Sequence, residues 1–181
     1  MYRYSIKKYY IQINKIIIKI INFFKKLYNL LTGKKTKKVI TPITRIEYKL
    51  YNYDQFDIDV NNAINKIRQD LGLTELQIVQ DVSDIAYSHC EYLKLNSNDK
   101  VIINHDNFLI RAEQVQLRYN NTSVNENVAG GYSTASSFVN AWKNSPGHYA
   151  NISNAKWTHT GIAHIIGHNN KLYVVQLFFR K

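Results

Sequence analysis

The apolar positions of this chain change period near its end, and that change restricts the fold to helices laid on paired strands. Val60, Ala63, Ile64, Ile67 and Leu71 recur at helical spacing, with Gly72 as a stop. Val82, Ile85, Ala86, His89 and Leu93 mark a second helix. Asp106 is placed to cap a third, with Phe108, Leu109, Ala112 and Val115 inward. A fourth runs from about Ala135 to Asn144, capped by Ser133 or Thr134, and buries Phe138, Val139 and Trp142. Asn96 to Lys100 and Asn120 to Ser123 read as loops. Gly161 to Ile166 and Leu172 to Phe179 are β-rich runs, joined by a hairpin turn at Gly167-His168-Asn169-Asn170. Helices first and paired strands last predict an α+β fold, with helices packed on an antiparallel sheet.

Charge separates the chain into two parts. The net charge is +11 over 181 residues. Residues 1–49 hold thirteen Lys/Arg and one acid, Glu47; residues 50–181 hold eleven Lys/Arg and twelve acids. The globular part is therefore close to neutral, which argues against nucleic acid as its partner. Cys90 is the only cysteine, so no intrachain disulfide forms.

The stretch from Ile11 to Leu31, placed on a helix, gathers Gln12, Asn14, Lys15, Lys19, Asn22, Lys25, Lys26 and Asn29 in one arc. Most of the Ile, Phe and Leu fall opposite. No apolar run exceeds three residues, so it reads as a helix lying in a membrane interface, with Phe23, Phe24 and Leu27 inward. A packing helix and a secretory signal are the other readings; no small-residue cleavage site follows. The expected organisation is a basic segment over 1–33, a linker over 34–53 and a domain over 54–181. Residues 11–31 are the candidate contact with membrane lipid, and the chain is expected to be membrane-associated or extracellular.

Pro146 disfavours helix at Ser145, so the fourth helix ends there. Ser145 is then free to cap a short helix with Pro146 at its first position, which fixes His148 in the first turn. With His105 and Glu126, His148 forms a set able to hold a divalent ion completed by water, or to act as an acid–base pair. Glu126, beside Asn125, Asn127 and two glycines, is equally suited to cap a turn. Ser145 near His148 offers a nucleophile reading, for which an N-cap is the simpler alternative. His159 and His164 are five apart, so on a strand they face opposite sides and do not chelate together. His168 belongs to a turn. His89 reads as a satisfied core residue, and Trp142 and Trp157 as packing.

The ordered pattern resembles the CAP superfamily (SCP-like, pathogenesis-related-1-like) in its bacterial form. VNNAINKIRQDLGLTEL resembles the opening helix, DVSDIAYSHCEYL the second, and INHDNF the segment carrying the first site histidine. NENVAGG and AWKNSPGHYANI resemble the glutamate and Ser-Pro-Gly-His motifs, and WTHTGIAH and LYVVQLF the closing strands. The likeness covers roughly residues 57–179. It implies a three-layer α-β-α sandwich with a central, largely antiparallel sheet, and a cleft of two histidines and two glutamates that in some members binds zinc or another divalent ion. Those positions fall here on His105, His148 and Glu126, with Asn127 beside them. The second glutamate falls on Ser145, and the arginine after the motif's histidine is Tyr149. The implied function is a binding module holding a divalent metal or a small apolar or lipid ligand at a membrane or cell surface. The alternatives are a protease-like hydrolase using His148 with Glu126, and an interaction protein with a vestigial cleft.

Overall fold

The computed structural model describes residues 51–97, 99–120 and 122–181. The basic segment 1–33, with its amphipathic stretch, and nearly all of the 34–53 linker lie outside these residues. The described part is built from α1 (Gln55–Asp70), β1 (Gln77–Ile78), α2 (Gln80–Asn96), α3 (Phe108–Arg118), β2 (Val124–Gly130), α4 (Ala135–Lys143), α5 (Pro146–Ile152), β3 (His159–Ile166) and β4 (Leu172–Phe179).

Helices α1 and α4 start with a reciprocal cap. The Asp54 side chain accepts from the backbone N–H of Phe56, and Asp57 reaches back to the N–H of Asp54. Thr134 and Ser137 make the same exchange on α4. The four strands lie in the order β1-β3-β4-β2; β1 runs parallel to β3, and both neighbours of β4 run antiparallel to it. Alternation along β3 and β4 feeds two cores. Ala163, Val175 and Leu177 pack with Val82, Ile85, Ala86, Leu93, Ala112 and Val115 of α2 and α3. Ile162, Val174 and Phe178 pack on the other face with Val60, Ile64, Phe138, Trp142 and Ile152 of α1, α4 and α5. The result is the expected α+β, three-layer α-β-α sandwich.

Two sequence expectations change. The Asn-Glu-Asn stretch is not a turn: β2 occupies it, pairing residue for residue with β4 from Val124↔Phe179 to Gly130↔Tyr173. Asn, Glu and Gly are poor strand formers, so pairing with β4 and not intrinsic preference makes this a strand. Helix α3 starts after Asn107, which is left-handed (φ 59) and gives no side-chain cap; Asp106 instead accepts from the Tyr92 hydroxyl at 2.7 Å. Leu109 is 80% exposed, because the inward arc of α3 holds Arg111, Ala112 and Val115.

The C-terminal end of α1 is stapled from inside. Arg68 is fully buried and donates to four carbonyls, those of Thr74, Ile152, Asn154 and Trp157, at 2.8–3.0 Å. Asn65 exchanges both its amide groups with the backbone of Leu76, and Asn61 adds a bond to the Leu76 carbonyl. These buried polar residues of α1 replace the backbone partners that the segment 73–76, the end of α5 and the loop after it lack. Hydrogen bonds to a charged group are worth about 1.5–3 kcal/mol each, so this one guanidinium carries much of the link between α1 and α5.

At Gly161 the backbone of β3 lies directly against that of α2. A Cβ there would lie 2.3 Å from the Val82 carbonyl carbon and 2.5 Å from the Ser83 nitrogen, both backbone atoms that cannot step aside. Gly161→Ala is expected to destabilise the domain by about 1–3 kcal/mol or more in chemical denaturation. Gly147→Ala, where a Cβ meets nothing within 4 Å, is expected to be neutral or to stabilise by up to about 1 kcal/mol.

Candidate functional site

Strand β2 is the edge of the sheet, so its outer backbone groups have no strand partner. Helix α5 closes that edge with amides. Asn151 Nδ2 donates to the Glu126 carbonyl (3.2 Å) and to Asn127 Oδ1 (2.8 Å). Asn125 donates to Asn151 Oδ1 (2.7 Å), and Asn127 Nδ2 donates to the His148 carbonyl (3.2 Å). Asn127 therefore holds the backbone of α5, not a ligand position, and thereby sets where His148 stands against β2.

Glu126 points to the α2–α3 side and is almost fully enclosed; its side chain is 1% exposed. Arg111 meets it with two bonds, Nε to Oε2 at 2.7 Å and an Nη to Oε1 at 2.8 Å. His105 Nδ1 lies 2.8 Å from the same Oε1. Burial works to raise the Glu126 pKa, but the bonds from His105 and Arg111 and the guanidinium charge prevail and hold it below the usual carboxylate range. An ionised carboxylate only accepts, so His105 Nδ1 is the donor in that bond and Nε2 is the ring nitrogen turned away from Glu126. The His105 side chain is 51% exposed, which leaves the ring open to solvent.

His148 sits in the first turn of α5, as the Ser-Pro-Gly-His reading requires, with Ser145 as N-cap and Pro146 at the start. The Ser145 hydroxyl, however, caps no backbone N–H; it lies 2.9 Å from His148 Nδ1. The side chain expected to cap the helix orients the histidine ring instead. Burial, then the nearby charge of His105, lower the His148 pKa below the ordinary histidine value.

Sequence reasoning missed Arg111, whose only signal was a basic residue inside an apolar helix arc. It also missed a second cluster on the α1 side. His164 Nδ1 lies 3.0 Å from Asp57 Oδ1 and 2.9 Å from the Tyr51 hydroxyl. Tyr51 donates to Asp57 and accepts the backbone N–H of His164. Burial disfavours charge on His164, yet the hydrogen bond and charge of Asp57 and the charge of Asp54 raise its pKa. His159 faces the other side, against Phe179, so the two histidines stay apart as expected. Among the described residues, Asp54, Asp57 and His164 are the group whose donor atoms lie within 4.8 Å of one another; His105, Glu126 and His148 are less convergent. His89 is buried and its Nε2 meets the Asn104 carbonyl at 2.8 Å, but its Nδ1 has no partner, so the core histidine is only half satisfied.

The pattern of the CAP family, the cysteine-rich secretory protein family, matches residues 62–178. The chain belongs to this family. YkwD of Bacillus subtilis (strain 168), described as uncharacterized, is 30% identical over 116 residues, covering 62% of this chain and 42% of YkwD. This CAP chain thus matches less than half the length of that relative. An extracellular SCP-domain protein from Bacillus anthracis is 26% identical with a TM-score of 0.56, over 68% of this chain and 40% of that one. An outer surface protein from Borrelia burgdorferi shares the fold over 72% of this chain and 98% of its own, with 24% identity and a TM-score of 0.59. NaASP2, solved with Zn2+, shares the fold alone: 12% identity, TM-score 0.51, over 70% of this chain and 80% of its own. Among the described residues, no helix is long and apolar enough to cross a membrane.

The Arg111–Glu126 pair gives a direct test of the site's frame. Arg111→Met leaves a buried carboxylate without its guanidinium and is expected to destabilise by about 3–5 kcal/mol, with Arg111→Met/Glu126→Leu recovering part of that loss in denaturant titrations. The Glu126 pKa is lowered on folding from an ordinary value of 4.5. Its contribution is therefore present above that pH and lost as pH falls through the folded value. Glu126→Gln is expected to flatten the acid limb of the stability–pH curve.

Proposed function

We propose that this CAP domain is a binding module that holds a divalent cation between His105 and His148 and works at a cell surface. One observation carries the reading: each ring is fixed through Nδ1, by Glu126 or by Ser145, so that Nε2 is the nitrogen left for a ligand. A serine hydroxyl accepts as readily as it donates, so Ser145 is compatible with a free Nε2 on His148. The lowered pKa of His148 keeps it neutral, as a ligand must be. Glu126 does not fit as a direct ligand, because Arg111 and His105 engage both of its oxygens. It fits as the outer carboxylate that orients a metal-binding histidine. Two imidazoles and water suit zinc. NaASP2 with Zn2+ supports the assignment by fold, and the outer-surface and extracellular proteins of the same fold support the location. A small apolar or lipid ligand is the other occupant this reading allows.

The 2.9 Å contact between Ser145 and His148 supports a second reading, a hydrolase with Ser145 as nucleophile and His148 as base. The contact uses Nδ1, the nitrogen an orienting carboxylate would otherwise occupy, and Glu126 serves His105 instead. Holding a ligand is therefore favoured over cutting one.

Zinc titration by calorimetry is expected to show an ion that His148→Ala and His105→Ala each weaken at least tenfold, with Glu126→Gln weakening it by about 10–100-fold. Labelling of Ser145 by a serine-reactive probe only when His148 is intact would favour the hydrolase. Residues 11–31 are proposed to bind lipid. In liposome flotation with anionic vesicles, the full chain is expected to float and a chain lacking residues 1–40 to stay below; equal behaviour removes the anchor.

A further inference from the structure

Away from the cleft, on the α1 side of the sheet, we infer that Asp54 and His164 form a separate divalent-cation site, with Asp57 as the carboxylate that orients the imidazole. The inference does not rest on the cleft reading. Asp57 is fully buried, and an ionised carboxylate only accepts. Its Oδ2 takes the Tyr51 hydroxyl and the Asp54 backbone N–H, and its Oδ1 faces His164 Nδ1 at 3.0 Å. The Nδ1 proton is thereby held, and the ring is fixed from both sides. Phe56 packs against it at 4.7 Å and Tyr51 meets it edge-on at 6.1 Å.

The other ring nitrogen is the candidate ligand atom. His164 Nε2 faces Asp54 Oδ2 at 3.8 Å. That is too long for a hydrogen bond. Two donors about 2.0–2.2 Å from one tetrahedral ion stand roughly 3.3–3.6 Å apart, so the pair need close by only a few tenths of an ångström to share one. Asp54 is also held in place, since its Oδ1 caps α1 through the Phe56 N–H at 2.9 Å. The arrangement reproduces a carboxylate–histidine–metal triad with its metal position between Nε2 and Oδ2. Side-chain exposure of 62% for Asp54 and 20% for His164 leaves that position open to solvent, so water can complete the coordination. The N-terminus of α1 opposes a cation with about half a charge, against two carboxylates in the cluster. One imidazole and one carboxylate suit zinc or a similar transition metal better than magnesium or calcium, which take oxygen donors alone.

The test uses the full chain carrying His105→Ala and His148→Ala, so that any cleft ion is removed beforehand. Zinc is titrated by calorimetry, and cobalt(II) is followed by its visible absorption. One ion per chain is expected. Asp54→Asn keeps the helix cap, because asparagine caps as well as aspartate, and is expected to weaken binding at least tenfold. His164→Gln is expected to abolish it, and Asp57→Asn to weaken it by about 10–100-fold. If the double variant binds no zinc, the cluster is an ion pair only and the inference fails, while a zinc ion on the unmodified chain would still uphold the cleft. If zinc binds but Asp54→Asn and His164→Gln leave it unchanged, the ion lies elsewhere and the inference fails as well. Should His164→Gln not fold by circular dichroism, the exposed, cap-preserving Asp54→Asn decides alone.

Discussion

The unpaired edge of β2 is the constraint on which the placement of both cleft histidines depends. A strand at the edge of a sheet leaves its outward groups without a strand partner, and here Asn151 of α5 takes one of them, the Glu126 carbonyl, while Asn125 and Asn127 tie their side chains to the same helix. Because α5 must reach that edge, its first turn, and with it His148, is brought to β2. The same strand sends Glu126 to the opposite face, where Arg111 and His105 meet it. One irregular, polar strand thus serves two helical layers. Its weak intrinsic preference for strand is tolerated because β4 pairs along its whole length.

The position where the resemblance implies a second glutamate supports the proposed reading of a site that holds rather than cuts. Ser145 contributes no charge, and its hydroxyl is engaged with the ring of His148. Glu126 is in turn neutralised by Arg111. The cleft therefore has little net negative charge, and a bound cation would draw its affinity from neutral imidazoles and not from carboxylates. That favours a metal soft enough for nitrogen.

Much of this was legible in the sequence because it is carried by period and by proline. Helical spacing marked α1, α2 and α4, two β-rich runs marked the hairpin, and Pro146 fixed the break before His148. Strand β2 was hidden, since Asn125, Glu126 and Asn127 are specified by partners distant in sequence. Leu109 misled for the converse reason: apolarity suggested an inward residue, yet Arg111 holds the inward arc because a buried carboxylate waits there. The His164 cluster was invisible because spacing compares a histidine with other histidines. Its real partners, Asp57 and Tyr51, lie more than a hundred residues away in sequence.

Four of the histidines in this small domain are sorted by what occupies Nδ1. In His105 and His164 it faces a buried carboxylate, which holds a proton there and turns Nε2 outward. In His148 it faces a hydroxyl, and burial with the charge of His105 lowers the pKa. In His89 it faces nothing, burial lowers the pKa again, and the ring remains a neutral part of the core. The outward Nε2 of His105 and His164 is therefore no accident of exposure. A buried acid that must find a donor selects a histidine at the surface of the core, and the geometry that satisfies the acid leaves the second nitrogen turned away from it. Two unrelated places in the fold, one at the edge of β2 and one at the start of α1, reach the same carboxylate-backed imidazole by this route.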